Sequence, residues 1–293
     1  MLIVKKFGGT SVGDQERIMN VARRCAEEYS KGNDVVVVLS AMGKTTDILL
    51  KTAREINPKA PKRELDMLLT TGEQVSVSLM AMAMHAMDVP AVSLNAFQVG
   101  MNCTSRYGNA RFKRIDTDRI NHELDSRKIV IVTGFQGVNK YDDITTLGRG
   151  GSDTTAVALS AVLHADKCEI YTDVDGIMTA DPRIEPSAKI LDYCDYEEVF
   201  QMAEKGAKVI HPRAVELAKN GDIVLEIKNT LNPSCKGTRI GLTRDAGGNY
   251  EDFQSRFMTS VAHKDNIAQV KVKSSEALFS KILNEMEEKH INL

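Results

Sequence analysis

The chain has 293 residues, of which 42% are hydrophobic, and a formal net charge of −2. That length suits two domains, or one large domain with an appendage, and the apolar content suffices for a sizeable core. The balanced charge, without a basic block, argues against nucleic acid as the main partner, and no apolar run reaches the roughly 18 residues of a membrane span.

The opening MLIVKKFGGTS has too short an apolar part for a signal peptide. The five cysteines (Cys25, Cys103, Cys168, Cys194, Cys235) form no CxxC pair and show no zinc spacing, so a reducing cytoplasm and no protein-only metal site are expected. Leu2–Val4 predicts a short strand that Gly8 and Gly9 break. From about Asp14 to Tyr29, the residues Ile18, Val21, Ala22, Cys25 and Tyr29 fall on one helical face, with Asp14 as N-cap and Gly32 as stop. Strand, glycine loop and helix in that order have the geometry of a phosphate cradle, with Lys6 as a point charge beside backbone N–H donors. Lys5 and Lys6 also read as surface lysines beside a turn, so this stretch alone decides nothing.

Four consecutive valines, Val35 to Val38, predict a strand buried on both faces, and hence a parallel sheet. The following GKTT lacks the Walker glycine, because Val38 stands five residues before Gly43. Ser40, Thr45 and Thr46 nevertheless place hydroxyls at a strand's carboxyl end, where α/β sheets bind ligands. After a loop at Asn57 to Pro61, Lys62 to Leu69 reads as a helix, Thr70 to Gln74 interrupts, and Val75 to Met87 reads as a core helix apolar nearly all round. Its methionines, Met80, Met82, Met84 and Met87, are expected to pack. Glu73 at its start reads either as complementing the helix dipole or as a carboxylate aimed to receive an amine.

Ala91 to Leu94 predicts a strand, 102–111 a hairpin or flap, Asp116 the cap of a helix to about Asp125, and Lys128 to Phe135 another buried strand. TTLGRGGSDTTA, from Thr145 to Ala156, then packs Gly148, Gly150 and Gly151 before a small-residue helical pattern. Glycines let backbone amides approach a ligand, and a helix beginning there directs free N–H groups to the same spot. The segment reads as an anion site with an added cation, Arg149, and an added carboxylate, Asp153; the other reading is an ordinary loop capped by Ser152 or Asp153. Glu169 to Val174 predicts a strand ending in Thr172 and Asp173, followed by a turn-rich loop with Arg183. Pro212 opens a helix beyond Lys208, and Ile223 to Ile227 is the last strand expected before a polar linker from about Thr243 to Arg256. The repeated strand–loop–helix order predicts a doubly covered parallel or mixed sheet. Beyond the linker, an alternating run and an amphipathic helix make a piece too short, at about 40 residues, to close a core alone.

Seven segments carry a family resemblance, in order: KFGGTSV at 6–12, VLSAMGKTTD at 38–47, TTGEQ at 70–74, GNAR at 108–111, TLGRGGSDTTA at 146–156, YTDVDGIMTADPR at 171–183 and GAKVIHPRA at 206–214. With these the chain resembles the amino-acid kinase superfamily and, within it, the aspartate kinases (aspartokinases). The resemblance implies a three-layer αβα sandwich around a mainly parallel sheet for residues 1–243. It also implies a linker and an incomplete ACT-like regulatory domain over 244–293, as in a chain that stops inside the first of two such domains. The implied reaction is ATP-dependent phosphorylation of the β-carboxylate of L-aspartate to 4-phospho-L-aspartate, the first step towards lysine, threonine and methionine. ATP and Mg2+ are the implied cofactors, the cytoplasm the location, and a homodimer or higher homo-oligomer the assembly.

By matching positions, the resemblance makes Lys6 and Asp153 catalytic, with Asp153 orienting Lys6. Ser40, Thr46, Glu73, Arg149, Gly150, Gly151 and Ser152 would hold aspartate. Lys6, Phe7, Gly8, Gly9, Thr172, Asp173, Met178, Asp181, Pro182, Arg183, Lys208 and Val209 would line the nucleotide. Met178 departs from a tyrosine and Asp175 from a proline common in that family. Three other readings stay open: a glutamate or acetylglutamate kinase, a non-catalytic amino-acid-binding subunit, and an inactive fragment.

Overall fold

A computed structural model describes residues 1–207, 209–241 and 259–263, with the single positions 281 and 285. The chain divides into two compact units, Met1–His263 and Lys264–Leu293. In the second, Lys281 and Glu285 are helical and exposed. The rest of the predicted alternating run and amphipathic helix, and the predicted linker, lie outside the described residues, as does Lys208.

The first unit begins with β1 (Leu2–Phe7), a single 3-10 turn (Gly9–Val12) and α1 (Gln15–Ser30). The Asp14 side chain caps α1 by accepting from the Arg17 N–H, and Ile18, Val21, Ala22 and Cys25 form its buried stripe. β2 (Asp34–Leu39) is the valine run; α2 (Thr45–Ile56), α3 (Lys62–Leu69) and α4 (Thr71–His85) follow it. Next come β3 (Ala91–Leu94), α5 (Ala96–Val99), β4 (Met101–Cys103), β5 (Phe112–Ile115), α6 (Asp118–Asp125) and β6 (Ile129–Thr133). A hairpin of β7 (Gln136–Val138) and β8 (Ile144–Thr146) leads to α7 (Gly151–Val162) and β9 (Lys167–Thr172). After a long loop come β10 (Tyr193–Cys194), α8 (Tyr196–Glu204), α9 (Pro212–Gly221), β11 (Leu225–Asn229) and β12 (Thr238–Ile240).

The main sheet runs β10-β12-β11-β9-β1-β2-β6-β3, parallel throughout except between β11 and β12. One face buries Val4, Val36, Val38, Val130 and Ile170 against α7, α8 and α9, and the other buries Phe7, Val35, Val37, Leu39 and Ile131 against α1 and α4. This is the expected αβα sandwich: the apolar runs are continuous because both faces of each central strand are covered. A second sheet, β5-β4-β7-β8, carries the 102–111 hairpin.

Several expectations change. The helix read as Val75 to Met87 starts at Thr71, so Glu73 lies inside its first turn. It is not buried all round: Val75 is 51% and Met82 64% exposed, while Met80 and Met84 are fully buried. A helix lying on a sheet buries one stripe, and apolar residues on its outer stripe leave no period to read. α6 is capped at Thr117 rather than Asp116, whose Oδ1 accepts from the Asp118 N–H. Ile223 to Ile227 is not the last strand, since β12 returns beside it.

Candidate active site

Parallel register brings the carboxyl ends of four strands to one edge. Phe7 pairs with Leu39 and with Tyr171, and Leu39 pairs with Thr133. The loops that leave there are laced together by the main chain. The Gly8 N–H donates to Tyr171 O at 3.3 Å, Ser40 N–H to Phe7 O at 3.2 Å, and Gly134 N–H to Leu39 O at 2.9 Å. A Cβ on Gly9 would come within 2.6 Å of the Ala41 carbonyl oxygen, so glycine there lets the first loop seat on the second. The Phe7 side chain is fully buried and stacks on Tyr171 at 4.5 Å, which leaves only its main chain at this edge.

Lys6 alternates away from Phe7 and points towards α7, where its Nζ lies 2.7 Å from Asp153 Oδ1. Both side chains are 12% exposed. That oxygen is buried and accepts no directed hydrogen bond, so the contact is a close ion pair. The ammonium also overlies the glycine loop, since a Cβ on Gly8 would lie 3.6 Å from it. Asp153 stands in the first turn of α7, whose cap is neither Ser152 nor Asp153 but Gly150, in the left-handed region at φ +68°. A backbone cap leaves both side chains uncommitted to capping. Any Cβ on Gly150 would collide with His211, at 2.3 Å from its Cβ and 2.4 Å from the ring Cγ. Ser152 packs onto Gly134, where a Cβ would come 2.6 Å from its Oγ. Arg149, at the tip of the turn, is exposed.

Across the edge, Glu73 Oε1 accepts from the Ala41 N–H at 3.1 Å, and the Ser76 hydroxyl donates to Ser40 O at 2.8 Å. Gly72 makes this approach feasible, because a Cβ there would sit 2.8 Å from Ala41 Cβ. Glu73 Oε2 is buried and has no hydrogen-bond partner. Burial pushes the carboxyl up to about 7. Thr46 lies half-buried in the first turn of α2.

On the far side, the Thr172 hydroxyl donates to Asp173 Oδ1 at 3.2 Å, and Thr172 O accepts from the Thr230 N–H. Met178 bridges to Ile190, and its carbonyl accepts from the Ser260 hydroxyl. Asp181 accepts from the Arg183 Nε and Nη2 groups, whose guanidinium holds its carboxyl well below the usual range. Pro182 is exposed and Val209 half-buried against the core. No hydrogen bond or ion pair among the described residues joins Met178 or Asp181 to the Lys6–Asp153 pair. The structure thus joins Lys6, Gly8, Gly9, Ser40, Glu73, Ser152 and Asp153 through direct neighbours, and sets Met178, Asp181, Pro182 and Arg183 on a separate loop.

Sequence reading missed His211 and Gly134, and marked Asp175 only as a departure from the family pattern. His211 caps α9 and is kept neutral to lower pH by burial and by nearby Arg213. Asp175 Oδ1 accepts from Asn229 Nδ2 at 2.7 Å and Asn232 Nδ2 at 3.1 Å, tying the 173–192 loop to the end of β11 and the turn after it. The glycine after the β6 run and the HP before α9 were the available signals. A cavity of about 670 Å³ opens elsewhere, on the opposite sheet face, around Lys5, Arg24, Tyr171, Glu226 and Lys228. Its lysines are already paired, Lys5 and Lys228 with Glu169, and Lys228 also with Glu226. Among the described residues, no three His, Cys, Asp or Glu side chains converge on a metal-sized site.

The amino acid kinase family model matches residues 1–229. A curated aspartokinase of Bacillus sp. (strain MGA3) is 56% identical over 230 residues, which are 78% of this chain and 56% of that one. Aspartokinase 2 of Bacillus subtilis (strain 168) is 46% identical over 295 residues, covering 100% of this chain and 71% of its own. Among solved structures, E. coli aspartokinase III in complex with aspartate and ADP (R-state) superposes with a TM-score of 0.77 at 25% identity, covering 100% of this chain and 75% of that chain. The chain spans a little over half the length of the first curated relatives it matches, 56% and 58%.

Proposed function

The chain belongs to the amino acid kinase family, on its aspartokinase branch, and from that premise we propose that it transfers the γ-phosphoryl group of ATP to the β-carboxylate of L-aspartate, releasing ADP and 4-phospho-L-aspartate. The observation that carries this reading is the Lys6–Asp153 ion pair, poised over the glycine loop and at the start of α7.

The acceptor carboxylate is already ionised near neutral pH and needs no general base. The obstacle is bringing an anion onto a polyanion, and oriented amides and cations offset it while alignment holds the attack in line. In this reading Lys6 and the Gly8–Gly9 loop take the phosphates, with the Gly9 N–H as the amide donor because Tyr171 O holds that of Gly8, and with Asp153 holding the Lys6 ammonium in place. Arg149 forks onto the substrate α-carboxylate, Ser152 and the Gly150–Gly151 turn support it, and Ser40 and Thr46 complete the pocket. The unsatisfied Glu73 Oε2 receives the α-ammonium, which supplies the donor that the buried oxygen lacks. A zwitterion is then favoured over a simple acid. Thr172, Asp173, Met178, Asp181, Pro182, Arg183, Lys208 and Val209 line the nucleotide side.

In this reading Mg2+ arrives on the ATP phosphates, since that ion keeps water and phosphate ligands and needs few from protein. When bound, it would neutralise phosphate charge. Residues 244–293 are assigned to a linker and an ACT-like regulatory segment, and the working assembly to a cytoplasmic homo-oligomer. No helix among the described residues is long and apolar enough to cross a membrane.

A hydroxamate-trapping assay with ATP, offering aspartate, glutamate and N-acetylglutamate separately, tests the acceptor. Product with aspartate is expected; product with glutamate alone would overturn the assignment.

A further inference from the structure

The Gly148–Gly151 turn places Arg149 and the start of α7, yet three of its four residues are glycine, which resists being fixed by its own backbone. Something outside it must hold it. Two side chains, neither among the proposed substrate or nucleotide contacts, do so from two different helices.

Asp66, on α3, is 2% exposed. Its Oδ2 accepts from the Gly108 N–H and the Thr146 N–H, each at 2.9 Å, and its Oδ1 from the Thr146 hydroxyl at 2.8 Å. Arg213, in the first turn of α9, is half-buried. Its Nη1 donates to Leu147 O at 2.9 Å, and its Nη2 to Asn109 Oδ1 at 2.8 Å. Each therefore bridges the same two segments: the 108–109 turn between β4 and β5, and the residues Thr146 and Leu147 immediately before Gly148. The segments meet directly, since the Ala110 N–H donates to Thr146 O at 2.8 Å. Gly148 lies so close that a Cβ would sit 2.9 Å from Gly108 O. From Gly148 the path continues into the helix, its carbonyl accepting from the Gly151 N–H at 3.0 Å.

We propose that Asp66 and Arg213 are a pair of positioning residues that clamp the 108–110 turn onto Thr146 and Leu147, and so set where Arg149 and Ser152 meet the amino-acid substrate. The inference rests on the aspartate kinase reading for its kinetic consequence, but not for its structural one. The clamp acts on the acceptor side. The glycine loop and Lys6 are anchored separately, through β1 and its neighbours in the sheet. Loss of the clamp misplaces the acceptor while leaving the nucleotide cradle in place.

Arg213→Lys keeps the charge but loses the planar fork that reaches two acceptors at once. Arg213→Ala removes both contacts, and Asp66→Asn replaces one accepting oxygen by a donor. For each, the full chain is assayed for KM and kcat with ATP and aspartate varied in turn, and hydrogen exchange is followed over 146–153 without substrate. The expected result is a KM for aspartate raised about 10-fold or more, a KM for ATP within about twofold, and faster exchange over 146–153. Free guanidinium is expected to restore part of the Arg213→Ala activity but none in Asp66→Asn. Equal changes in both KM values, or unchanged exchange in every variant, would overturn the clamp. If the parent chain phosphorylates no aspartate, the functional reading falls, and exchange alone then decides the clamp.

Discussion

At the scale of single residues, Glu73 makes the sharpest demand on chemistry. One carboxylate oxygen is hydrogen-bonded to the main chain and the other is buried with no partner. Burial raises the carboxyl from its ordinary 4.5 to about 7. Folding therefore favours the protonated form. The contribution of Glu73 to stability is complete below about 4.5 and is lost as pH rises through about 7, a difference on the order of 3 kcal/mol. A bound α-ammonium reverses the preference by supplying a cation to the bare oxygen. Aspartate binding below pH 7 is thus expected to expel close to one proton, and its affinity to weaken up to about tenfold for each unit of acidification. Calorimetric titration at pH 6, in two buffers of different ionisation enthalpy, measures that proton directly. Glu73→Gln is expected to abolish the release and weaken binding; release that persists in the variant would exclude Glu73 as its source. The residue type and its place near a helix start were visible in the sequence. The orphaned oxygen was not, because it depends on Gly72 admitting Ala41 of a different segment.

At the scale of elements, the start of α7 depends on a glycine that no other residue replaces without rearrangement. Gly150 sits at φ +68°, which costs a residue with a side chain roughly 1–2 kcal/mol, and a Cβ would run into His211. Gly150→Ala is expected to slow aspartate phosphorylation by more than about tenfold, because Arg149 and Ser152 flank the strained position. The Gly150→Ala/His211→Gly double variant is expected to recover part of that loss, since glycine removes both the His211 Cβ and the ring that an added Cβ would meet. Strictly additive losses in the hydroxamate assay would mean that the two side chains do not meet. The glycine spacing announced the turn and its following helix, since glycine and small polar residues mark such entries locally. The valine run announced a doubly covered strand for the same reason. Longer-range relations stayed hidden. Asp66 reads as one carboxylate on an amphipathic helix, and its donors lie 42 and 80 residues away. β7 and β8 are three residues each and almost wholly buried, too short to show a period. α4 concealed its exposed stripe because both of its faces are apolar.

At the scale of the whole molecule, adjacent lysines on β1 divide the work between the two faces of the sheet. Lys6 points to α7 and the site. Lys5 points the other way, is 2% exposed, and its Nζ lies 2.5 Å from Glu169 Oε2 on β9. Lys167 and Lys228 reach the other Glu169 oxygen at 2.7 and 2.8 Å, and the Tyr171 hydroxyl donates to Oε2 at 3.0 Å. One carboxylate thereby ties β1, β9 and β11 at the centre of the sheet. Burial alone would raise the Glu169 carboxyl, but Lys5 and Lys228 overcome that and hold it below the usual range. Its pH dependence is opposite in sign to that of Glu73. The stabilisation is present above the ordinary carboxylate range and is lost as pH falls through the lower folded value. Glu169→Gln strands the Lys5 ammonium beside a neutral acceptor, and is expected to cost about 3–5 kcal/mol at pH 7. Replacing both partners by apolar residues, Lys5→Met with Glu169→Leu, is expected to cost less than the single change, because no buried charge is left alone. Urea unfolding of the three chains at pH 7 and again at pH 3 measures this, with the gap between parent and Glu169→Gln narrowing in acid. A gap that stays constant would mean that Glu169 is not the ionised centre of the sheet, and that its three lysines are held by something else.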